Sequence, residues 1–230
     1  MRLSDTDFRE RLTRLPTNLP SNHLQLIAEG QIPVDLEALL RNGKIIIDPW
    51  RDPCEIMCCT LDLHLGDQIE MALMPLQISI VDGRKVIRPY VYDARGNSVR
   101  LLETDRVVEH TEHGSYIRFM LKDDETLEMP PKSFLITRTL ERIYIPTDLV
   151  MYVEGRSRFA RKGITAHISS PRFDPGWCGP AVLEIANEGL SGFNIYPGLE
   201  FATMTLDQLT SKVDVPYFAK RSAKFRGQQS

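Results

Sequence analysis

The residues best suited to chemistry lie close together, between positions 154 and 188. Ser157 stands in a cluster of cations at the start of this stretch, and Glu184 lies near its end. The cluster places four cations within seven residues: Arg156, Arg158, Arg161 and Lys162. Guanidinium groups bind phosphates through charge-assisted hydrogen bonds, and a carboxylate among apolar residues can transfer protons. The stretch therefore predicts a site that holds a small anionic ligand and moves a proton.

Glu184 is the unusual residue of this stretch, because it interrupts the apolar run AVLEIA at 181–186. An ionised carboxylate is unfavourable in an apolar environment unless it is paired. One interpretation is a salt bridge to a nearby arginine, and the other is a carboxylate kept available as a general base. The sequence leaves both interpretations open.

Asp174 precedes Pro175-Gly176, and aspartate at the head of such a turn usually stabilises the turn itself. Gly155 and Gly163 flank the cation cluster, where glycine would let the backbone approach a phosphate closely. The spacing matches no standard phosphate loop, so a solvated basic surface is the alternative interpretation.

Composition excludes several classes of protein. The chain has 230 residues and a net charge of −3, whereas general nucleic-acid or membrane-surface binders are basic. No apolar run approaches the ~20 residues that span a bilayer. The N-terminus carries charges where a signal peptide would be apolar, which predicts a cytoplasmic protein. Because the cytoplasm is reducing, the four cysteines are expected to be free thiols.

A zinc deaminase site is not expected. Its signature is His-x-Glu followed downstream by Pro-Cys-x-x-Cys. Here His110-Thr111-Glu112 lies downstream of Cys54, and the spacing from Cys54 to Cys58 is one residue too wide. Both the order and the spacing of the candidate ligands therefore fail.

Two short helices are predicted in an N-terminal helical arm, residues 1–43. Ser4 followed by Asp7 is typical of a helix N-cap. The apolar residues of this first helix share one face: Phe8, Leu12 and Leu15. A second helix is predicted to start at Asp35 and to end at Gly43, where a C-terminal cap belongs.

Residues 44–210 are predicted to form a β core, in a chain that is a single domain overall. Asp82-Gly83 is a hairpin signal between two of the predicted strands. Many short strands with turn residues between them indicate a mainly β sandwich, barrel or jelly roll. The predicted strands are 45–47, 60–65, 76–81, 85–87, 115–121, 133–139, 149–153, 164–168, 181–187 and 199–206.

The tail, residues 211–230, loses strand character and interleaves cations with aromatic residues. One interpretation is a mobile terminus. The other is a lid, because aromatic rings can stack on a base while cations contact phosphates. The sequence leaves both open.

Three segments resemble the dCTP deaminases: GRSRFARKG at 155–163, PRFDPGWCGPAVLEIANEG at 171–189 and YPGLEFATMTLDQL at 196–209. The resemblance is weaker over 13–34 and 67–120, which would then be insertions. It implies a distorted jelly roll or β-barrel of the dUTPase-like type, with short N-terminal helices and a C-terminal lid.

The resemblance also implies roles for individual residues. Glu184 matches the catalytic glutamate, which activates water for attack at C4 of cytosine and moves a proton toward N3 and the leaving ammonia. Ser157 and Arg161 match residues that orient the glutamate and the water. The other matching residues are expected to bind the nucleotide: Arg156, Arg158, Arg172, Asp174, Tyr217, Lys224 and Gln228.

Partners and cofactors follow from the same resemblance. The expected ligands are dCTP and dUTP, with dTTP as an inhibitor in relatives, and Mg²⁺ is expected with the triphosphate. No zinc, nucleic-acid polymer or membrane is expected. The active sites are expected to be shared between subunits of a homotrimer.

Two departures and one aspartate keep other functions open. Arg158 stands where most relatives have a second serine, and Pro171 removes a backbone donor near the base pocket. Both substitutions favour a nucleotide-binding regulator without catalysis. Asp174 favours a bifunctional enzyme that also cleaves dUTP to dUMP and pyrophosphate, because related dUTPases place an activating aspartate in a comparable turn.

Overall fold

A computed structural model describes residues 1–50, 52–56, 58–72, 78–81, 84–87, 90–93, 98–100, 107–111, 114–123 and 125–227. The predicted turn at Asp82-Gly83 and the predicted site residue Gln228 lie outside these residues. The described part contains four α-helices: α1 (Asp5–Arg11), α2 (His23–Ala28), α3 (Val34–Arg41) and α4 (Ser157–Ala160). None of these helices is long and apolar enough to cross a membrane.

Strands make up most of the regular structure, which confirms the mainly β prediction. In the described residues they are β1 (Leu12–Thr13), β2 (Ile45–Asp48), β3 (Leu61–Ala72), β4 (Ile78–Val81), β5 (Arg84–Ile87), β6 (Tyr90–Asp93), β7 (Ser98–Arg100), β8 (Val107–Thr111), β9 (Gly114–Met120), β10 (Glu125–Met129), β11 (Phe134–Tyr144), β12 (Leu149–Gly155), β13 (Ile164–Thr165), β14 (Arg172–Phe173), β15 (Cys178–Asn187), β16 (Phe193–Ile195) and β17 (Glu200–Gln208). Each predicted strand overlaps one of these, although 164–168 is a strand only at its first two residues.

The N-terminal helix begins as predicted and ends earlier. Ser4 caps α1, its hydroxyl accepting a hydrogen bond from the Asp7 amide while the Asp7 carboxylate accepts one from Ser4. Leu12 leaves the helix and pairs in parallel with Ile45, so the predicted continuation to Leu15 is wrong. Pairing with a neighbouring strand outweighs the helical spacing of the apolar residues there.

The second predicted helix is confirmed as α3, followed by Gly43 at a φ of 77°. Helix α2 was not predicted. It buries three of its side chains: His23, Leu24 and Ile27. The His23 Nε2 atom lies 2.7 Å from the Tyr144 hydroxyl, which ties α2 to the end of β11.

The largest sheet is organised around β11, which pairs with β15, β3 and β2. Strand β3 continues the sheet to β9 along one part of its length and to β17 along another. In the described residues its main path is open rather than a closed barrel, in the order β1-β2-β11-β3-β17-β12-β14. Its pairings are antiparallel except for β1 with β2, so residues far apart in sequence meet across it.

Two apolar clusters stabilise the molecule. The larger one fills the β core with side chains of the long strands and of α1. The smaller one lies where α2 and α3 meet the edge of the core and the tail, and includes Ile46, Tyr144, Cys178 and Phe218. The helical arm is thus packed on the core instead of projecting from it.

Candidate active site

A cavity of about 990 Å³ opens on one face of the large sheet. Its floor includes a row of four side chains that lie opposite one another on four adjacent strands. Glu184 on β15 pairs with Ile136 on β11, Ile136 pairs with Glu70 on β3, and Glu70 pairs with Arg118 on β9. Directly paired residues point to the same side of a sheet, and all four line the cavity.

Glu184 is the half-buried carboxylate of this floor, between the fully buried Leu183 and Ile185. In the described part of the chain it makes no hydrogen bond or ion pair, and in particular none with the arginines of the cation cluster. The carboxylate is therefore placed to meet a ligand that enters the cavity.

The second carboxylate of the row, Glu70, is paired with a cation. The Arg118 guanidinium lies 2.7 and 2.9 Å from its Oε1 atom. Sequence reasoning missed both residues, since neither belongs to a motif and their relation to Glu184 depends on strand register.

Another part of the cavity wall comes from residues 167–177, which include two predicted site residues. The Arg172 Nε atom lies 3.2 Å from the Asp174 carboxylate, and both side chains line the cavity. Asp174 also makes its predicted turn, because its carbonyl accepts a hydrogen bond from the Trp177 amide at 3.0 Å. Its turn-forming role and its position at the cavity are compatible.

His167 also lines this wall and was not predicted. Its ring packs edge-on against Phe173, and both ring nitrogens are buried without a hydrogen-bond partner among the described residues. Burial lowers the pKa of His167 to about 4, so the ring is neutral at neutral pH. Residue type alone gave no signal, because a histidine between apolar residues is common in protein cores.

Acidification is expected to destabilise the protein through His167. Its pKa is about 4 when folded and ordinarily 6.5, so the unfolded chain binds the proton more tightly. The free energy of unfolding therefore has its full value with respect to His167 above pH 6.5, and it decreases as the pH falls toward 4. Urea unfolding measures the free energy of unfolding at pH 7 and at pH 5. Its decrease between the two pH values should be about 2 kcal/mol smaller in His167→Gln than in the wild type. Parallel losses in both proteins would contradict the expectation.

The cation cluster lies outside this cavity within one chain. Ser157, Arg158 and Arg161 are exposed, and residues 157–160 form the single helical turn α4. Phe159 holds this turn by stacking on Phe201 at 5.0 Å between ring centroids.

Arg156 is held at the base of the same turn by two carboxylates. Its Nη1 atom lies 2.6 Å from the Asp62 carboxylate and also contacts Glu200, whose carbonyl accepts from Arg158. None of Arg156, Arg158, Ser157 and Arg161 lines the cavity that contains Glu184.

The tail closes one side of the cavity with Tyr217 and Phe225. The Tyr217 ring lies 5.3 Å from the Trp177 ring, and burial raises the pKa of its hydroxyl. The Phe225 amide donates to the Tyr217 oxygen at 3.3 Å. Lys224 is exposed and does not line the cavity. The tail thus contributes two aromatic side chains to the cavity wall, whereas its predicted role as a lid stays a prediction.

Comparison with known proteins defines the class of this molecule. Residues 72–209 match the family model described as dCTP deaminase-like. A dCTP deaminase from Thermomicrobium roseum is 33% identical over 196 residues, which cover 85% of this chain and 87% of the relative. The chain belongs to the dCTP deaminase-like family, and its mainly β fold agrees with the fold class that the sequence resemblance implied.

Two further similarities are to a curated relative and to a solved structure. A protein from Methanobrevibacter smithii, named dCTP deaminase, dUMP-forming, is 29% identical over 84% of this chain and 88% of its own length. The solved structure of a 2'-deoxycytidine 5'-triphosphate deaminase from Agrobacterium tumefaciens has a TM-score of 0.44 and 15% identity, covering 75% of this chain and 45% of that one. The family match begins at residue 72 and so includes most of segment 67–120, where the sequence motifs gave weaker resemblance.

Proposed function

We propose that this protein hydrolyses dCTP to dUTP and ammonia, as a cytoplasmic enzyme of pyrimidine deoxynucleotide metabolism. The observation that carries the proposal is Glu184: a carboxylate at the floor of the cavity, without a partner among the described residues, in a chain of the dCTP deaminase-like family. A carboxylate in this position has a free oxygen for a substrate or a water molecule.

The proposed reaction needs one proton acceptor that later becomes a proton donor. Glu184 removes a proton from water while the water oxygen bonds to C4 of cytosine, and it passes that proton to N3. The hydroxyl now on C4 gives its proton to Glu184, which donates it to the amino group. The C4–N4 bond then breaks, ammonia leaves and the C4 carbonyl forms. One carboxylate can perform both transfers in sequence, since it returns to its ionised form after each one.

The rest of the nucleotide is assigned to the cavity walls and the tail. Arg172 and Tyr217 line the cavity beside Asp174, where a guanidinium and a phenol can bind sugar and phosphate oxygens. Mg²⁺ would neutralise the triphosphate, whose oxygens would supply most of its ligands. The described residues contain no cluster of three or more histidine, cysteine or acidic side chains that could form a protein cage for it.

The site is proposed to be completed by another copy of the chain in a homotrimer. Glu184 lies in the cavity, but Ser157 and Arg161, which match the residues that orient the glutamate and the water, lie outside it and are exposed. An exposed group of this kind is available to a neighbouring subunit, and rotational symmetry would repeat the same contact at each interface.

A second candidate function is supported by Asp174. Its carboxylate lines the same cavity as Glu184, and the relative from Methanobrevibacter smithii is named dUMP-forming. If Asp174 activated a second water, the dUTP formed in the cavity would be cleaved to dUMP and pyrophosphate.

The products of dCTP separate these functions. With Mg²⁺ present, the purified protein is expected to release one ammonia for each dCTP consumed and to leave dUTP without pyrophosphate. Pyrophosphate equal to ammonia would instead establish the bifunctional enzyme. Binding of dCTP in calorimetry without any ammonia would establish the non-catalytic regulator that Arg158 and Pro171 suggest.

A further inference from the structure

The tail returns to the helical arm at its aromatic residue Phe218, which is 2% exposed. Its ring lies in the smaller apolar cluster, which contains four side chains of α2 and α3: Leu24, Ile27, Leu36 and Leu40. The Arg41 guanidinium lies 5.9 Å from the centre of the Phe218 ring. The Lys212 ammonium donates to the Arg41 carbonyl at 2.6 Å. These contacts form the first anchor of the tail.

A second anchor lies nine residues further along the tail, at Gly227, whose φ is 56°. A Cβ atom at this position would stand 2.1 Å from the Leu24 carbonyl oxygen and 2.8 Å from the Ala28 nitrogen. The tail backbone therefore lies directly on α2, in a space that only glycine fits. The Arg226 guanidinium also approaches Gly30, just beyond the end of α2.

Two residues close to the anchors form part of the cavity wall. Tyr217, next to the first anchor, packs beside Trp177, and Phe225, near the second, donates its amide hydrogen to the Tyr217 oxygen. Among the described residues, both anchors contact side chains and backbone that lie outside the cavity lining, so these contacts do not involve whatever fills the cavity.

We infer that α2 and α3 are a dock that holds the tail over the cavity before a nucleotide binds. Phe218 and Gly227 are positioning residues: they act through Tyr217 and Phe225, which line the cavity. This assigns a function to the segment 13–34, in which α2 lies and which has weaker resemblance to the family. The catalytic consequence of the dock rests on the proposed function, whereas the docking itself does not.

The dock should affect substrate binding more than the chemical step. A tail already in place loses little conformational freedom when a ligand binds. If the tail were released, only the closed fraction of molecules would bind tightly, and the apparent dissociation constant would rise by the inverse of that fraction. Glu184 lies on β15 rather than on the tail and would keep its position there.

The test compares two glycine-to-alanine substitutions in nucleotide-free protein. Gly227→Ala places a methyl group against α2, whereas Gly198→Ala, the control, has a similar φ of 78° and no atom within 4 Å of the new Cβ. Hydrogen exchange of residues 216–227 should become about tenfold faster in Gly227→Ala and remain unchanged in Gly198→Ala. The KM for dCTP should rise about tenfold in Gly227→Ala, with kcat within a factor of two of the wild type.

Phe218→Ala supplies a second variant that removes the first anchor without changing the backbone. It should accelerate exchange in residues 216–227 and leave β11 protected, which shows that the β core remains folded. Rapid exchange of the wild-type tail without nucleotide, or equal acceleration in both glycine variants, would overturn the inference. These exchange results do not depend on deamination, so a failure of the proposed reaction would be seen separately in the ammonia assay.

Discussion

Glu184→Gln is expected to reduce ammonia release from dCTP by about 1,000-fold while the protein still binds the nucleotide. The amide has nearly the same size as the carboxylate, so the shape of the cavity floor is retained. It cannot accept the proton of the attacking water, and the step that creates the nucleophile is lost. Ammonia release measures the chemical step, and calorimetry with dCTP measures binding.

Glu188→Gln is the matched control for this experiment. Glu188 follows β15 directly and is exposed. Its carboxylate lies 2.6 Å from the Lys132 ammonium, and it does not line the cavity. Turnover in this variant should remain close to that of the wild type. The proposed mechanism would be rejected if Glu184→Gln kept ammonia release within tenfold of the wild type.

A mixture of two inactive variants is expected to recover activity if the chain forms the proposed homotrimer. Arg161→Ala removes a cation that is exposed within one chain, and Glu184→Gln removes the carboxylate of the cavity. If each site takes Glu184 from one subunit and Arg161 from its neighbour, some sites in a mixture receive both intact residues. Random assembly at equal amounts should give about one quarter of the wild-type activity, because each half-site is intact with a probability of about one half.

The control mixes Glu184→Gln with a chain that carries both Glu184→Gln and Arg161→Ala. No site in that mixture has an intact carboxylate, so activity should stay at the background of Glu184→Gln alone. If the mixture of the two single variants also stayed at background, the site would lie within one chain, and the proposal of shared sites would be wrong.

The local sequence determined a large part of this molecule. The Ser4 cap, the turn at Asp174 and the approximate positions of the predicted strands depend on residues near one another in the chain. Caps, turns and alternation of apolar residues express preferences of a few neighbouring residues, so they can be read without knowing the fold. The unusual position of Glu184 in an apolar run was visible for the same reason.

Only the tertiary structure decided which residues share the cavity. Arg118 and Glu70 reach the row of Glu184 because β15, β11, β3 and β9 pair in one register. A shift of one residue would turn those side chains to the other face, and nothing local in the sequence specifies that register. His167 was missed for a related reason, since its burial depends on the wall that packs around it.

The same distinction applies to the cation cluster and to the tail. The sequence placed Arg161 and Glu184 in one stretch, but the fold separates them within a chain, with Arg161 exposed and Glu184 in the cavity. Sequence left the tail between a mobile segment and a lid, and only the structure places Gly227 against α2. The types of residue that can perform chemistry were evident from the sequence. Their grouping into a site depends on strand register and on contacts between distant segments, which only the folded chain provides.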